Sequence, residues 1–312
     1  PPQSSLRPSS TSHGSPGRSS RRFDPLRWML DRPAPGEAID QPEDELLPAR
    51  KLLRRADPIR AAVWVTARLA EGLEHAHSRG LLHRDLKPSN VLIASDGTPM
   101  LLDFNLSVEA PTRDEEAGET ISRAMLGGTL PFMSPEHLDA LDPQGSTSPA
   151  EVDERSDLYS LGLIFFEMIA GEPAFSTPEG VGGSLPLLRR MIAERRRGAP
   201  SLRARVPAIP PSLDALAAKC LDPDPDRRHA SAGDLAEDLR RFLDDQPMKH
   251  GPEPSLVERA RKWARRHPAA CSSTSTACAA VFVLGFMAML GFHIYEATEA
   301  LHARLMLRKF QR

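Results

Sequence analysis

Apolar positions first fall into a regular pattern at residue 57. Ile59, Val63, Thr66, Leu69, Leu73 and Ala76 recur at helical spacing. Asp57-Pro58 offers a capping carboxylate followed by a proline suited to a first turn, and Gly80 offers a stop, so an amphipathic helix is predicted between them. Val91-Leu92-Ile93 and Met100-Leu101-Leu102 are short apolar runs around Ser95-Asp96-Gly97, the signature of a β-hairpin. From Asp157 to Ile169 the chain is apolar nearly all round, as expected of a helix buried at the centre of a core. Helices are further predicted at 184–196, 211–221 and 231–244, with an inserted loop at 142–152. The fold class that follows is mainly α with short β-hairpins.

The two ends of the chain are patterned differently. Residues 1–56 are rich in serine, proline and arginine, lack periodicity and read as a disordered linker, with small helices predicted at 23–30 and 43–47. No apolar core follows the arginines, so no signal peptide is predicted there. Near the other end, Pro268 to Tyr295 contains no Lys, Arg, Asp or Glu, and its core from Ala277 to Phe292 is almost continuously apolar. With its small flanking residues the stretch exceeds the roughly 20 residues that cross a bilayer. The basic run Arg259-Ala260-Arg261-Lys262-Trp263-Ala264-Arg265-Arg266 precedes it, which favours a membrane span over a buried soluble helix and places the preceding domain on the cytoplasmic side. Arg304, Arg308, Lys309 and Arg312 follow the span and weaken that charge asymmetry. The predicted organisation is a domain at 57–246, a basic juxtamembrane segment at 247–268, a transmembrane helix at 269–295 and the start of a post-membrane region at 296–312.

Composition narrows the classes of function. With 312 residues, 40% hydrophobic and 26% charged, there is room for one large globular domain plus tails. A formal net charge of -2 predicts no general attraction to nucleic acid. The three cysteines, Cys220, Cys271 and Cys278, form no disulfide framework, which suits a reducing cytosolic setting for the domain.

The chemistry concentrates in His83-Arg84-Asp85-Leu86-Lys87-Pro88-Ser89-Asn90, just before the hairpin, and Asp103-Phe104-Asn105, just after it. The hairpin brings Asn90 and Asp103 to neighbouring ends. His75, His77 and His83 are close in sequence, but no carboxylate or thiol completes a metal-ligand set at usual spacing. The octet resembles the catalytic loop of a protein kinase, H-R-D-L-x-x-x-N, and Asp103-Phe104-Asn105 resembles the D-F-G element with Asn105 in place of glycine. Asparagine tolerates left-handed backbone angles, so the turn is expected to survive.

This resemblance implies a set of roles. Asp85 would accept the proton of the attacking hydroxyl, Lys87 would steady the transferring phosphate as in serine/threonine kinases, and Asn90 with Asp103 would hold Mg2+ beside ATP. His83 would be a packing and hydrogen-bonding residue, and Arg84 could hold a phosphate on the segment from Asp103 to Glu136, with Thr120 or Ser122 as the modified residue. Gly128-Thr129-Leu130-Pro131-Phe132-Met133-Ser134-Pro135-Glu136 closes that segment, with Ser134-Pro135-Glu136 standing for A-P-E and Thr129 matching a threonine that bonds to the catalytic aspartate and lysine. Asp157 would anchor the catalytic-loop backbone. Arg228, in Asp224-Pro225-Asp226-Arg227-Arg228, would form a buried ion pair with Glu136.

The implied protein is a bacterial, single-pass membrane serine/threonine kinase acting in signal transduction. It would use ATP and magnesium, act on Ser and Thr of protein substrates, and pair as a homodimer for trans-autophosphorylation. The resemblance covers only the C-terminal, or large, lobe. Gly14 and Gly17 sit in a serine/proline tract rather than a strand-flanked glycine-rich loop, and Lys51 is the only lysine before Lys87 and lies in a basic run. The chain opens on Pro1, reads as a fragment, and is expected to bind ATP poorly by itself. The alternative reading is a pseudokinase or membrane-anchored scaffold without catalysis.

Overall fold

The computed structural model describes residues 56–104, 128–176, 183–268 and 273–310. The predicted linker up to residue 55, Asn105, Thr120 and Ser122 lie outside them. In chain order the elements are α1 (Pro58–His77), β1 (Val91–Ile93), β2 (Pro99–Leu101), α2 (Pro135–Asp139), α3 (Glu154–Ala170), α4 (Ser184–Arg196), α5 (Leu202–Arg205), α6 (Pro211–Cys220), α7 (Ala232–Leu243), α8 (Leu256–Arg266) and α9 (Ser273–Phe310). Short 3-10 turns occupy Pro88–Asn90, Leu130–Phe132, Pro149–Glu151 and Pro225–Arg227.

The cap of α1 is the one its sequence announces. The Asp57 carboxylate accepts from the amides of Ile59 (3.0 Å) and Arg60 (3.3 Å), while Pro58 occupies a position that needs no donor. Its apolar face packs most extensively on α7 and then on α3, burying Val63, Leu69 and Leu73. Each such enclosed side chain contributes about 1.5–3 kcal/mol relative to exposure.

Helix α3 starts at Glu154, one turn before Asp157, because the Asp153 carboxylate accepts from the Arg155 amide at 2.9 Å and caps it there. It is the central element, buried on nearly every side. A Cβ on Gly162 would lie 2.8 Å from Cys220 Cβ, so glycine is what lets α3 approach α6 this closely. A second apolar cluster joins Leu130, Met133 and Leu138 to Leu187, Leu188, Met191 and Ile192 of α4, tying the stretch after Thr129 to the lobe. The β-hairpin pairs Val91 with Leu101, Leu92 with Met100 and Ile93 with Pro99, and the Asp96 carboxylate fixes its turn by accepting from the Thr98 amide at 2.7 Å.

The chain after Pro247 remains packed on the lobe. Asp238 of α7 accepts from the amides of Lys249 (2.6 Å) and His250 (3.0 Å) and bonds His229 Nε2 at 3.1 Å. Burial alone would raise the Asp238 pKa, but these donors outweigh it and hold the carboxyl below its ordinary value. Further on, α8 is bound through Glu258, which accepts from the Ser212 amide at 3.0 Å, and through Lys262, which is buried between Glu253 and Glu258. The basic run is therefore not a uniformly solvated stretch: its one lysine is an internal residue.

Helix α9 is 38 residues long and begins at Ser273. Its stretch Val281–Glu299 is long and apolar enough to cross a membrane, judged by length and composition, and its side chains are exposed. The helix continues past Tyr295 through Ala, Leu, Glu, Met and Arg, which favour helix whether or not they face lipid.

Candidate active site

The site is assembled around a loop that leaves α1, turns at a left-handed Arg84 and enters the hairpin. Arg84 has φ of 60°, and such a backbone in a non-glycine residue persists only where its surroundings enforce it. Asp157 is the enforcing group. Its Oδ2 accepts from the His83 amide and its Oδ1 from the Arg84 amide, each at 2.8 Å, and Oδ2 also meets His77 Nε2 at 2.8 Å. Asp157 is buried in the first turn of α3, so the loop is pinned to the central buried helix of the lobe.

Asp85, partly exposed next to this anchor, is held from three sides. Thr129 Oγ1 donates to Asp85 Oδ1 at 2.7 Å, and Lys87 Nζ reaches Oδ1 and Oδ2 at 3.1 and 3.0 Å. Lys87 also donates to Thr129 Oγ1 at 2.9 Å, closing a triangle between the loop and the segment that ends at Glu136. Asn90 Nδ2 donates to the Asp85 carbonyl (2.8 Å) and to Oδ2 (3.2 Å). A carboxylate so oriented, next to a cation and open to solvent on one side, can receive a hydrogen bond and a proton from an approaching hydroxyl.

Asn90 commits its amide nitrogen to Asp85, and its carbonyl oxygen makes no hydrogen bond among the described residues. Asp103, exposed and with φ of 56°, has an equally uncommitted carboxylate. The Leu102 amide donates to the Asn90 carbonyl at 2.9 Å, so the hairpin keeps these residues at adjacent ends. The Asn90 amide oxygen and the Asp103 carboxylate, both without partners among the described residues, suit a hard cation such as magnesium, which keeps several waters and asks for few protein ligands. No group of three His, Cys, Asp or Glu side chains suitable for a metal occurs among the described residues, and His75, His77 and His83 do not converge.

Of the packing and hydrogen-bonding role its motif implies for His83, the packing is what the ring shows. Its ring stacks on Phe104 at 4.6 Å, and neither ring nitrogen forms a well-made hydrogen bond among the described residues, although the Leu102 carbonyl lies close by. Burial lowers its pKa against the opposing pull of Asp157 and Asp85, and the ring serves as a packing element.

Arg228 and Glu136 meet in a two-armed pair, Nη1 to Oε1 at 2.6 Å and Nη2 to Oε2 at 2.8 Å. The guanidinium also serves the carbonyls of Asp222 and Arg155, both at 2.9 Å, and lies over the Tyr159 ring. Burial would raise the Glu136 pKa, but the Arg228 pair outweighs it and keeps the carboxyl below its ordinary value.

Sequence reasoning missed Arg195. From α4 it is fully enclosed, donating through Nε to the Met133 carbonyl (2.8 Å) and through Nη2 to the Pro131 carbonyl (2.6 Å), with Phe175 beneath it. It fixes the backbone directly after Thr129. In a sequence it is one of five arginines in Arg189-Arg190 and Arg195-Arg196-Arg197, and nothing distinguishes it from a solvated charge. His77 was equally hidden, its value lying in where α1 ends.

Together these contacts describe a lobe whose polar residues converge on one carboxylate, with two oxygen donors beside it. The protein kinase domain model matches residues 47–238, more than half of the chain, and the protein belongs to the protein kinase family. Curated relatives include a probable serine/threonine-protein kinase of Streptomyces coelicolor, 32% identical over 59% of this chain and 24% of its own length. PknB of Mycolicibacterium smegmatis is 31% identical over 63% of this chain and 29% of its own, and PknH of Mycobacterium bovis is 32% identical over 64% and 30%. The chain thus spans between 24% and 30% of the length of these relatives. Among solved structures, the kinase domain of Mycobacterium tuberculosis PknI aligns over 72% of this chain and 62% of that one, at 23% identity and a TM-score of 0.38.

Proposed function

We propose that this chain is the large lobe of a membrane-anchored serine/threonine protein kinase that transfers the γ-phosphate of ATP to Ser and Thr hydroxyls of protein substrates in signal transduction. The observation that carries this reading is the Asp85–Lys87–Thr129 triangle. In phosphoryl transfer the protein's task is mostly positioning and charge stabilisation. Asp85 orients the acceptor hydroxyl and takes its proton as the oxygen attacks phosphorus. Lys87, already against Asp85, places its positive charge where the transferred group gains negative charge. Thr129 keeps both side chains in register with the substrate-facing segment. Asn90 and Asp103 would hold magnesium, which when bound supplies the counter-charge for the phosphates.

Helix α9 would anchor this lobe in a membrane as a single span, with the lobe on the cytoplasmic side. The support is the length and apolarity of Val281–Glu299 and the arginines that precede it. Partner copies of the kinase would phosphorylate one another on the segment between Asp103 and Glu136. A scaffold without catalysis is the second reading, favoured by residues 1–82, which hold no strand-flanked glycine-rich loop to cradle ATP.

The test is to extend the chain upstream in its own reading frame and measure magnesium-dependent phosphate transfer to a protein acceptor, paired with Asp85→Asn. Transfer is expected in the extended chain, with a loss of about 10²–10⁴-fold in the variant. Transfer that survives the substitution would remove Asp85 from its role, and a reading frame without a nucleotide cradle and without transfer would establish the scaffold.

A further inference from the structure

Helix α8 turns its charged side inward and its apolar side outward. Glu258 and Lys262, one turn apart, face the lobe. Glu258 bonds Ser212, and Lys262 lies between Glu253 (2.6 Å) and Glu258 (3.2 Å) above the Phe242 ring. Arg265 continues the same side with two bonds to Asp245 Oδ1 at 2.6 and 2.8 Å. At about 100° per residue, Leu256, Val257, Ala260 and Trp263 fall on the opposite side. Leu256 is 76% exposed, Val257 61% and Trp263 49%.

Arginines border this apolar stripe, Arg259 and Arg266 along one edge and Arg261 along the other. All three are exposed, and none joins an ion pair among the described residues. A stripe of large apolar side chains rimmed by cations, with a tryptophan in it, has the chemistry of a helix lying in the boundary between anionic headgroups and acyl chains. Only residues 267–272 separate α8 from α9, whose apolar stretch Val281–Glu299 is the candidate span. The tether holds α8 close to whatever bilayer α9 enters, so association is favoured by effective concentration as well as by contact.

We propose that α8 is an interfacial docking helix: Leu256, Val257 and Trp263 enter the surface of the bilayer that α9 crosses, and Arg259, Arg261 and Arg266 meet anionic lipid headgroups. The inference rests on the reading of α9 as a membrane span. Because Glu258 accepts from the Ser212 amide of α6, Lys262 lies buried over the Phe242 ring of α7 and Arg265 pairs with Asp245 just past α7, lipid contact fixes the orientation of the lobe. The Asp85 mouth is then presented at a set angle to the membrane instead of swinging on a loose linker.

The experiment uses the full chain with Trp28→Phe and Trp64→Phe, which leaves Trp263 as the sole indole. It is reconstituted in nanodiscs of phosphatidylcholine with or without phosphatidylglycerol, using plain or brominated acyl chains, and Trp263 emission is read with iodide as the aqueous quencher. Brominated lipid is expected to lower Trp263 emission at least about twofold and iodide access to fall, more strongly with the anionic lipid. Arg259→Glu, Arg261→Glu and Arg266→Glu should each weaken the association about fivefold or more while α9 keeps the chain in the disc. A chain retained in the disc whose Trp263 stays as open to iodide as in detergent overturns the proposal. Shielding of Trp263 that grows with protein concentration in lipid-free solution would assign the stripe to a second copy and equally overturn it. Extraction by alkaline carbonate reports separately on α9. If the chain is extracted, the span reading fails, and flotation with added phosphatidylglycerol vesicles then decides α8 alone: Trp263 quenching there supports the docking helix, and its absence refutes it.

Discussion

Replacing Arg228 with methionine removes a cation and leaves its partners in place. The Arg228 side chain has no exposed surface and Glu136 only 13%. The substitution strands the Glu136 carboxylate in a site from which water is largely excluded, and it leaves the carbonyls of Asp222 and Arg155 without the donors they had at 2.9 Å. Breaking one side of a buried pair costs about 3–5 kcal/mol, because the surviving charge keeps its desolvation penalty and loses its compensation. For a domain of this size that corresponds to a fall in melting temperature of about 6–20 °C.

The pair also fixes the pH signature. Glu136 has a folded pKa below its ordinary value of 4.5, so its contribution is fully present above that value and is lost as pH falls through the folded pKa. The gap between wild type and Arg228→Met should therefore be widest near neutrality and narrow as pH falls toward and then below 4.5, because burial without Arg228 raises the pKa of the stranded carboxyl and lets a proton neutralise it. Thermal unfolding followed by circular dichroism across pH, with Glu136→Met/Arg228→Met as a control, measures this. The double variant strands no charge and is expected to be the more stable of the two. A single-variant loss under about 1 kcal/mol, the range of exposed pairs, or a gap that does not narrow in acid, would refute the reasoning.

Arg195→Met should unfold about 1–3 kcal/mol more easily by leaving two or more carbonyls unpaired, and should lower kcat more than it changes nucleotide affinity, since the backbone it holds carries Thr129. Asp157→Asn replaces an acceptor of two amides with a group that must present N–H to one of them; phosphate transfer by the upstream-extended chain should fall about 10²-fold through misplacement of Asp85. Burial pushes the Cys220 thiol up to about 12, so with Cys271→Ser and Cys278→Ser in place a thiol reagent at pH 8 should react only on unfolding; rapid labelling of the native chain would contradict the packing of α3 on α6. Nucleotide titration of residues 1–312 should give weak binding at best, and tight magnesium-dependent binding would overturn that expectation.

What the sequence disclosed depended on whether a residue's neighbours along the chain determine its surroundings. The cap of α1 is local chemistry, and Asp57-Pro58 was readable because the carboxylate bonds amides two and three residues away. The octet from His83 to Asn90 was readable because Asp85, Lys87 and Asn90 meet one another within a single loop. Arg195, His77 and Lys262 act on partners from distant elements, and charge type alone suggested exposure for the two cations. Lys262 is the sharpest case. It is one of five basic residues of the run 259–266, yet it is buried, with the Ser212 hydroxyl of α6 at 3.4 Å and the Phe242 ring of α7 beneath it beside Glu253 and Glu258, and only that packing separates it from the rest.

Three successive residues at the start of α3 connect the parts of the site that lie far apart in sequence. Arg155 gives its carbonyl to Arg228 and so supports the pair with Glu136. Ser156 meets Ser134 at 2.6 Å, holding the turn that leads into α2. Asp157 takes the amides of His83 and Arg84 and the ring of His77. One helical turn therefore sets the loop from His83 to Asn90, the end of α1 and the turn into α2 relative to one another. Every one of these contacts lies between residues 77 and 228, inside the lobe. The contacts that orient the Asp85 carboxylate, from Lys87, Thr129 and the loop anchored on Asp157, thus all come from within the lobe.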